Sequence, residues 1–275
     1  MRKVIAITSD IVKPVKNIGF KALLLAITLL FFSATPRTNA DNVIDLVVID
    51  AGHGGKDPGT HGINTLEKDV ALSIALKVGE YITKYVPGVK VIYTRTDDTF
   101  IPLDERAKIA NRNNADLFIC IHANALGRPE IYGTETYVMG PHNAEGNMEV
   151  AKRENSVILL DENHEERYEG FDPNSPESYI LFSLAQSAFQ ESSIRFANFV
   201  ESQFRDRVGR KSRGVKQAGF WVLWRTGMPS VLIETGYLTN PTEEKYLKSE
   251  RGQELIASGI YRAFKEYKAQ IESVK

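Results

Sequence analysis

Apolar residues in this chain fall into short blocks of two kinds. Val43–Ala51 (VIDLVVIDA), Val89–Thr94 and Ala115–His122 (ADLFICIH) are nearly continuous in apolarity, and Ala218–Leu223 and Ser230–Glu234 are shorter runs of the same kind. Such runs predict strands covered on both faces. Gly133–Met139 (GTETYVM) alternates instead and predicts a half-exposed strand. Leu66–Val86 places Val70, Ile74, Val78, Tyr81 and Ile82 at helical spacing and stops at Pro87-Gly88. Leu103–Asn114, Ser178–Val208 and the stretch from Glu250 to the end predict further helices. Asn240-Pro241-Thr242-Glu243 predicts a helix start, with Asn as N-cap, Pro at N1 and Glu at N3. Strands alternating with helices predict an α/β sheet with helices on both faces.

Two segments break this rhythm. Residues 1–40 carry a basic leader (Arg2, Lys3, Lys13, Lys16, Lys21), the apolar run Ala22–Ala34, and a polar exit ending Thr38-Asn39-Ala40. That layout predicts a cleaved export signal. The alternative is a membrane anchor, but thirteen apolar residues fall short of the roughly 20 that a span needs. Residues 41–275 are then one domain, large enough to fold without staples. Within it, residues 140–178 hold Pro141, Pro173, Pro176 and a run of acids from Asp161 to Glu177. They predict a solvated, inserted loop, and loops this long are often functional.

Charge then narrows the function. Residues 1–40 hold six of the 34 basic and one of the 35 acidic side chains, so the remainder holds 28 and 34. An acidic domain without a basic stripe is a poor nucleic-acid binder. Cys120 is the single cysteine, so there is no disulfide framework, and its place in an apolar run predicts packing. Nothing in the sequence demands more than a monomer.

Four side chains carry the candidate chemistry. His53 sits in Ala51-Gly52-His53-Gly54-Gly55 at the end of the first strand. A phosphate-binding turn would open a helix directly after the glycines, whereas Lys56-Asp57-Pro58-Gly59 follows here. Glu67 opens the next helix, where an acid can also serve only the helix dipole. His122 ends the third strand and could be a satisfied core group. Glu234 follows Val231-Leu232-Ile233, where a carboxylate is costly to bury without a partner. Arg225 or Arg213 could be that partner. In an α/β sheet the site lies outside the carboxyl ends of the strands, so these four should converge. Two imidazoles and a carboxylate form the donor set of a catalytic zinc site, and the remaining carboxylate can handle a proton. His61, His142 and His164 lie in polar loops and read as surface groups, with His61 near the site.

Val47–Gly59, Glu67-Lys68-Asp69, Thr94–Asp97 (TRTD), Leu103–Asn111 (LDERAKIAN), Asp116–Asn124 (DLFICIHAN), Gly133-Thr134-Glu135 and Val231–Asn240 (VLIETGYLTN) resemble the amidase-3 type of zinc-dependent N-acetylmuramoyl-L-alanine amidases. The resemblance spans nearly all of residues 44–270. It implies a mixed, mostly parallel sheet flanked by helices in a single catalytic domain. It implies Zn2+ held by His53, Glu67 and His122, and Glu234 as the catalytic acid/base. The implied substrate is peptidoglycan, cut between the lactyl group of N-acetylmuramic acid and L-alanine, in the periplasm or cell wall, with a role in wall remodelling or daughter-cell separation. Some division amidases of this type carry a helix that blocks zinc until an activator protein binds. Met148–Leu160 lies in the matching interval and makes Glu154 a candidate inhibitory ligand; a substrate-contacting flap or a plain loop are the alternatives. Two other functions fit the fold, a zinc peptidase trimming the stem peptide and a non-catalytic wall-binding protein. The second should lack a ligand or Glu234, and all four residues are present.

Overall fold

The computed structural model describes residues 43–141, 145–180, 182 and 188–273. The expected export signal and His142 lie outside them. Among the described residues six strands form one sheet in the order β2-β1-β3-β6-β4-β5. The strands are β1 (Leu46–Ala51), β2 (Lys90–Tyr93), β3 (Leu117–Asn124), β4 (Thr134–Met139), β5 (Ser212–Ala218) and β6 (Ser230–Tyr237). All neighbours are parallel except β4 against β6. The sheet is therefore mixed and mostly parallel, as expected.

Period-two alternation sends side chains to two cores. Val47, Ile49, Ile119, Ile121, Val231 and Ile233 face one side. There they meet helices α1 (Glu67–Tyr85), α5 (Gln190–Gln203) and α8 (Glu250–Ser273). Val48, Phe118, Cys120 and Leu232 face the other. That side is covered by α2 (Leu103–Arg112), α3 (Glu145–Asn155) and α6 (Trp221–Trp224), with an aromatic cluster of Tyr168, Phe171, Tyr179, Phe182 and Trp221. Two further short helices are α4 (His164–Arg167) and α7 (Pro241–Lys248). The Asn240 side chain caps α7 by accepting from the backbone N–H of Thr242 and Glu243, as its sequence predicts.

Four expectations need correction. Strand β4 is buried along its whole length. Thr134 and Thr136 are not solvent-facing; both hydroxyls donate to Glu201 of α5. The strand expected at Ala218–Leu223 is instead the polar run Ser212–Ala218, and the apolar Trp221–Trp224 turns as α6 to fill the aromatic cluster. The long helix expected over Ser178–Val208 is interrupted by a turn at residues 188–189, and the helix that follows is 14 residues, Gln190–Gln203. It widens into a π turn (Phe204–Val208) and ends at Gly209, in the left-handed region. Finally, residues 145–179 are not a solvated loop. Val150, Ala151, Val157 and Ile158 are core residues, and Ser156–Leu160 and Pro176–Tyr179 form 3-10 turns.

Glu201 supplies a test of this packing. Burial raises its pKa, and the hydroxyls of Ser212, Thr136 and Thr134 only partly oppose that. A carboxyl raised in the fold binds its proton more tightly folded than unfolded. Its ionisation therefore weakens the fold as pH rises from the ordinary carboxylate range through the raised value. Glu201→Gln removes this term. In urea titrations the variant should gain on wild type between acidic and neutral pH, and a pH-independent difference would contradict the assignment.

Candidate metal centre

The first strand delivers the first group. After Ala51 the backbone N–H of Gly52 donates to the carbonyl of Ile121, and the chain then turns out of the sheet. His53 adopts φ 60°, in the left-handed region. A non-glycine residue there costs on the order of 1–3 kcal/mol and persists only where its surroundings fix it. Two buried arginines do so. Arg106 donates to the carbonyls of Ala51 (2.7 Å) and His53 (2.7 Å), and Arg95 to those of Ala51 (3.0 Å) and Gly52 (2.7 Å). Gly52 is required by close approach, since a Cβ there would lie 2.5 Å from the His122 ring.

His53 Nδ1 lies 2.7 Å from Asp57 Oδ2, which assigns that nitrogen the proton. Nε2 then points its lone pair inward, 3.0 Å from Glu67 Oε1 and 3.3 Å from Glu154 Oε2. Glu67 stands in the first turn of α1, fully buried. The backbone N–H groups of Thr60 (2.8 Å) and Ala123 (3.0 Å) donate to its two oxygens. His122 Nδ1 is 2.9 Å from Glu67 Oε1 and 3.0 Å from Glu154 Oε2. One atom from each of His53, Glu67, His122 and Glu154 lies within 4.8 Å of the others. Glu234 sits opposite His122 in the β3/β6 register, with no exposure to solvent.

Electrostatics follow from this crowding. Burial opposes charge on His53 and His122. For His53 the charge of Glu67, the hydrogen bond to Asp57 and the nearby Glu154 carboxylate prevail, and the pKa rises well above the usual histidine range. His122 shifts the same way, through the adjacent Glu154 carboxylate. Glu67 and Glu154 are driven down by those imidazoles, and Glu154 also by Arg153, against the cost of burial. Glu234 goes up, through burial and then the charge of Glu154. Behind His122 the Cys120 thiol donates to Asp50 (2.9 Å); burial and Asp50 push its pKa up to about 12, so it stays protonated.

The donor set fits a divalent cation. His53 Nε2 and Glu154 Oε2 are buried with no hydrogen-bond partner. Nε2 is close enough to Glu67 for a hydrogen bond but is misdirected for one, so its lone pair is spare. Two imidazoles and carboxylate oxygens suit zinc, and an imidazole backed by a carboxylate, as His53 is by Asp57, is the usual second partner of such a ligand.

The structure thus brings His53, Glu67, His122 and Glu154 together and sets Glu234 beside them. It assigns Glu234 a different cation from those expected: Arg153 Nη2 lies 3.4 Å away, while Arg225 pairs with Glu169 and Arg213 with Glu135. His61 is exposed, and His164 bonds to the Asp161 carbonyl. Sequence reasoning missed Asp57, Arg95, Arg106 and Arg153. Asp57 had a local signal, a carboxylate four residues after a candidate ligand; the arginines act across long separations and had none.

Gly59 tests the crowding. At φ +67° a Cβ would lie 2.6 Å from His53 Cδ2 and 2.7 Å from Glu67 Oε2, whereas Gly88, at φ +85°, faces open space. Alanine strains the backbone at both, but only Gly59→Ala adds the clash. Urea unfolding should show it about 1–3 kcal/mol less stable than Gly88→Ala; equal losses would show that the turn relaxes freely.

Comparison with known proteins identifies the family. The Amidase_3 family (N-acetylmuramoyl-L-alanine amidase) matches residues 47–266. The amidase AmiA of Escherichia coli K12 is 33% identical over 228 residues, which cover 82% of this chain and 76% of that protein. The catalytic domain of CwlV, an amidase from Paenibacillus polymyxa, superposes with TM-score 0.60 at 33% identity, covering 81% of this chain and 97% of that one. The CwlD amidase of Clostridioides difficile, solved in complex with the GerS lipoprotein, gives TM-score 0.61 at 27% identity, covering 82% and 99%. With its mixed sheet and convergent histidines and glutamates, the chain belongs to the Amidase_3 family of N-acetylmuramoyl-L-alanine amidases, which are hydrolases.

Proposed function

We propose that this enzyme is a zinc-dependent amidase that cuts the bond between the lactyl carbonyl of N-acetylmuramic acid and L-alanine in peptidoglycan. His53, Glu67 and His122 hold the metal, and Glu234 is the acid/base. The observation that carries this reading is the buried cluster of His53 Nε2, His122 Nδ1 and Glu67, with Glu234 in register beside His122. Zinc bound there supplies Lewis acidity, polarising an amide carbonyl and easing ionisation of a water. Glu234 takes a proton from the attacking water as the C–O bond forms. It then gives that proton to the alanine nitrogen as the C–N bond breaks. Its Oε2 is buried and has no hydrogen-bond partner, so it is free for that exchange.

Glu154 and Arg153 support a second element of the proposal, a closed resting state. Glu154 offers an oxygen to the same centre, and Arg153 reaches Glu234 and the carbonyl of Ala125. The cavity left between them is about 230 Å³ and is lined by His53, Glu67, Arg153, Glu154 and Leu160. Pockets that hold small organic ligands run to about 300–1,000 Å³. Helix α3 thus blocks the centre, and an activator protein would displace it. The CwlD complex with a lipoprotein supports the idea that this fold accepts such partners. Residues 1–40 would direct export to the periplasm or wall, where the substrate is. Among the described residues no helix is long and apolar enough to cross a membrane.

Incubation of purified peptidoglycan with the full chain and zinc tests the reading by mass spectrometry of released products. Free stem peptides beginning at L-alanine are expected. Trimmed stems still joined to glycan would instead make it a peptidase. Glu234→Gln should lower kcat by about 10²–10⁴-fold with zinc content unchanged. Glu154→Ala removes a charge-assisted bond worth about 1.5–3 kcal/mol and should raise kcat/KM roughly tenfold or more. An unchanged or lower rate in a zinc-loaded Glu154→Ala protein would sink the closed-state reading and leave the amidase assignment intact.

A further inference from the structure

Among the described residues, Arg95 is the one side chain that donates both to the turn that carries His53 and to the helix turn that carries Glu67. It follows β2 and is 4% exposed. Nε donates to the Ala51 carbonyl (3.0 Å) and Nη2 to that of Gly52 (2.7 Å), the residue before His53. The same Nη2 donates to the Lys68 carbonyl (2.8 Å), the residue after Glu67. Nη1 is tied to the Asp97 carbonyl (2.9 Å), which fixes the guanidinium plane. Arg106 also grips the His53 turn, through the carbonyls of Ala51 and His53, but its other partners are Asp50 and Ile101, not α1. A second link between turn and helix, Lys68 Nζ to the Gly55 carbonyl, runs along the surface through Asp98.

We infer that Arg95 is a positioning residue, which sets the distance between His53 and Glu67 by bridging the carbonyls of Gly52 and Lys68. The inference rests on the metal reading of the preceding subsection. Its logic is geometric. His53 and Glu67 are separated by a loop of thirteen residues; backbone bonds pair Gly54 with Asp57 and tie Glu67 and Lys68 to the carbonyls of Thr60 and Pro58, and Arg95 is the side chain that braces the two ends of the loop directly against each other. A planar guanidinium with several fixed donors can lock two backbone segments at once, whereas an ammonium presents a single donor head. Bonds to backbone atoms beside the ligands act on where those ligands stand without touching the metal or the substrate.

Zinc binding by the full chain tests this, measured by competition with a chromophoric chelator, beside urea unfolding of the metal-free protein. Arg95→Met should raise the zinc dissociation constant by about 10–100-fold, the usual effect of losing a group that orients ligands. Arg95→Lys should fall between it and wild type. A purely structural arginine would lower the metal-free unfolding midpoint and leave the zinc affinity of the folded protein unchanged. If wild type binds zinc stoichiometrically and Arg95→Met matches its affinity within about twofold, the positioning role is wrong and the metal site stands. If wild type itself takes up no zinc, the metal reading has failed and the positioning role falls with it. Should Arg95→Met not fold, Arg95→Lys is judged by the same criterion; if neither folds, Arg95 is a determinant of the fold and the inference is overturned.

Discussion

Three carboxylates and two imidazoles buried together near the carboxyl ends of β1 and β3 are the constraint around which this structure is arranged. Glu67, Glu154 and Glu234 are almost wholly removed from water, with His53 and His122 between them. Removing a carboxylate from water costs several kcal/mol unless something cationic or donating replaces the solvent. Backbone N–H groups serve Glu67, Arg153 serves Glu154, and the imidazoles serve both. The remaining demand is for positive charge at one point, where buried lone pairs of His53 and Glu154 lack partners. A divalent cation meets that demand, and so do protons on the imidazoles. Both pKa values rise for the same electrostatic reason.

The sheet decides where this point lies. Asp50, Cys120, His122, Leu232 and Glu234 project on the same side, because each is an even step from the next along its strand and the strands are in register. Asp50 pairs with Cys120, and His122 with Glu234. A slip of one residue between β3 and β6 would send Glu234 into the aliphatic face among α1, α5 and α8. The cost of burying that carboxylate among aliphatic side chains opposes the slip, which apolar runs covered on both faces would not by themselves resist. The register that fills the two cores also aligns the catalytic candidate with a ligand.

How much of this was legible depended on range. The strands carrying His53, His122 and Glu234 showed as apolar runs, and the α1 start showed in its spacing, so convergence of four residues could be expected from local pattern. Both strands run further than the pattern suggested, to Asn124 and Tyr237. The polar β5 was misplaced because its sequence, SRGVKQA, carries no apolar alternation; it forms by pairing with β4 at the sheet edge. Residues 145–179 were misread because acidic composition outweighed a few well-spaced apolar residues. Val150, Ala151, Val157 and Ile158 find their burial only in the second core, whose Phe220 and α6 lie more than 60 residues further along the chain. The arginines were invisible for the same reason, since the carbonyls they hold at the site, those of Ala51, Gly52, His53, Lys68 and Ala125, lie about 27–55 residues from them.

Helix α3 cannot be an appendage in this arrangement. One part of the segment, Arg153 and Glu154, faces the centre, and another, Val150, Ala151, Val157 and Ile158, completes the second core. Its Asn155 also receives the backbone N–H of Trp221 and donates to the Gly219 carbonyl. Excising the segment would strip the core with the block. Withdrawing Glu154 from the centre requires much less. Arg153 and Glu154 are adjacent on the last turn of α3, so a shift of that turn disengages both together. Such a shift exposes apolar surface at about 25 cal/mol per Å², and Leu159 and Leu160, already half-exposed, mark where that surface begins. A partner that covered it would supply the differential affinity that any change of state requires. The proposed closed state would therefore be held by the same burial that builds the fold.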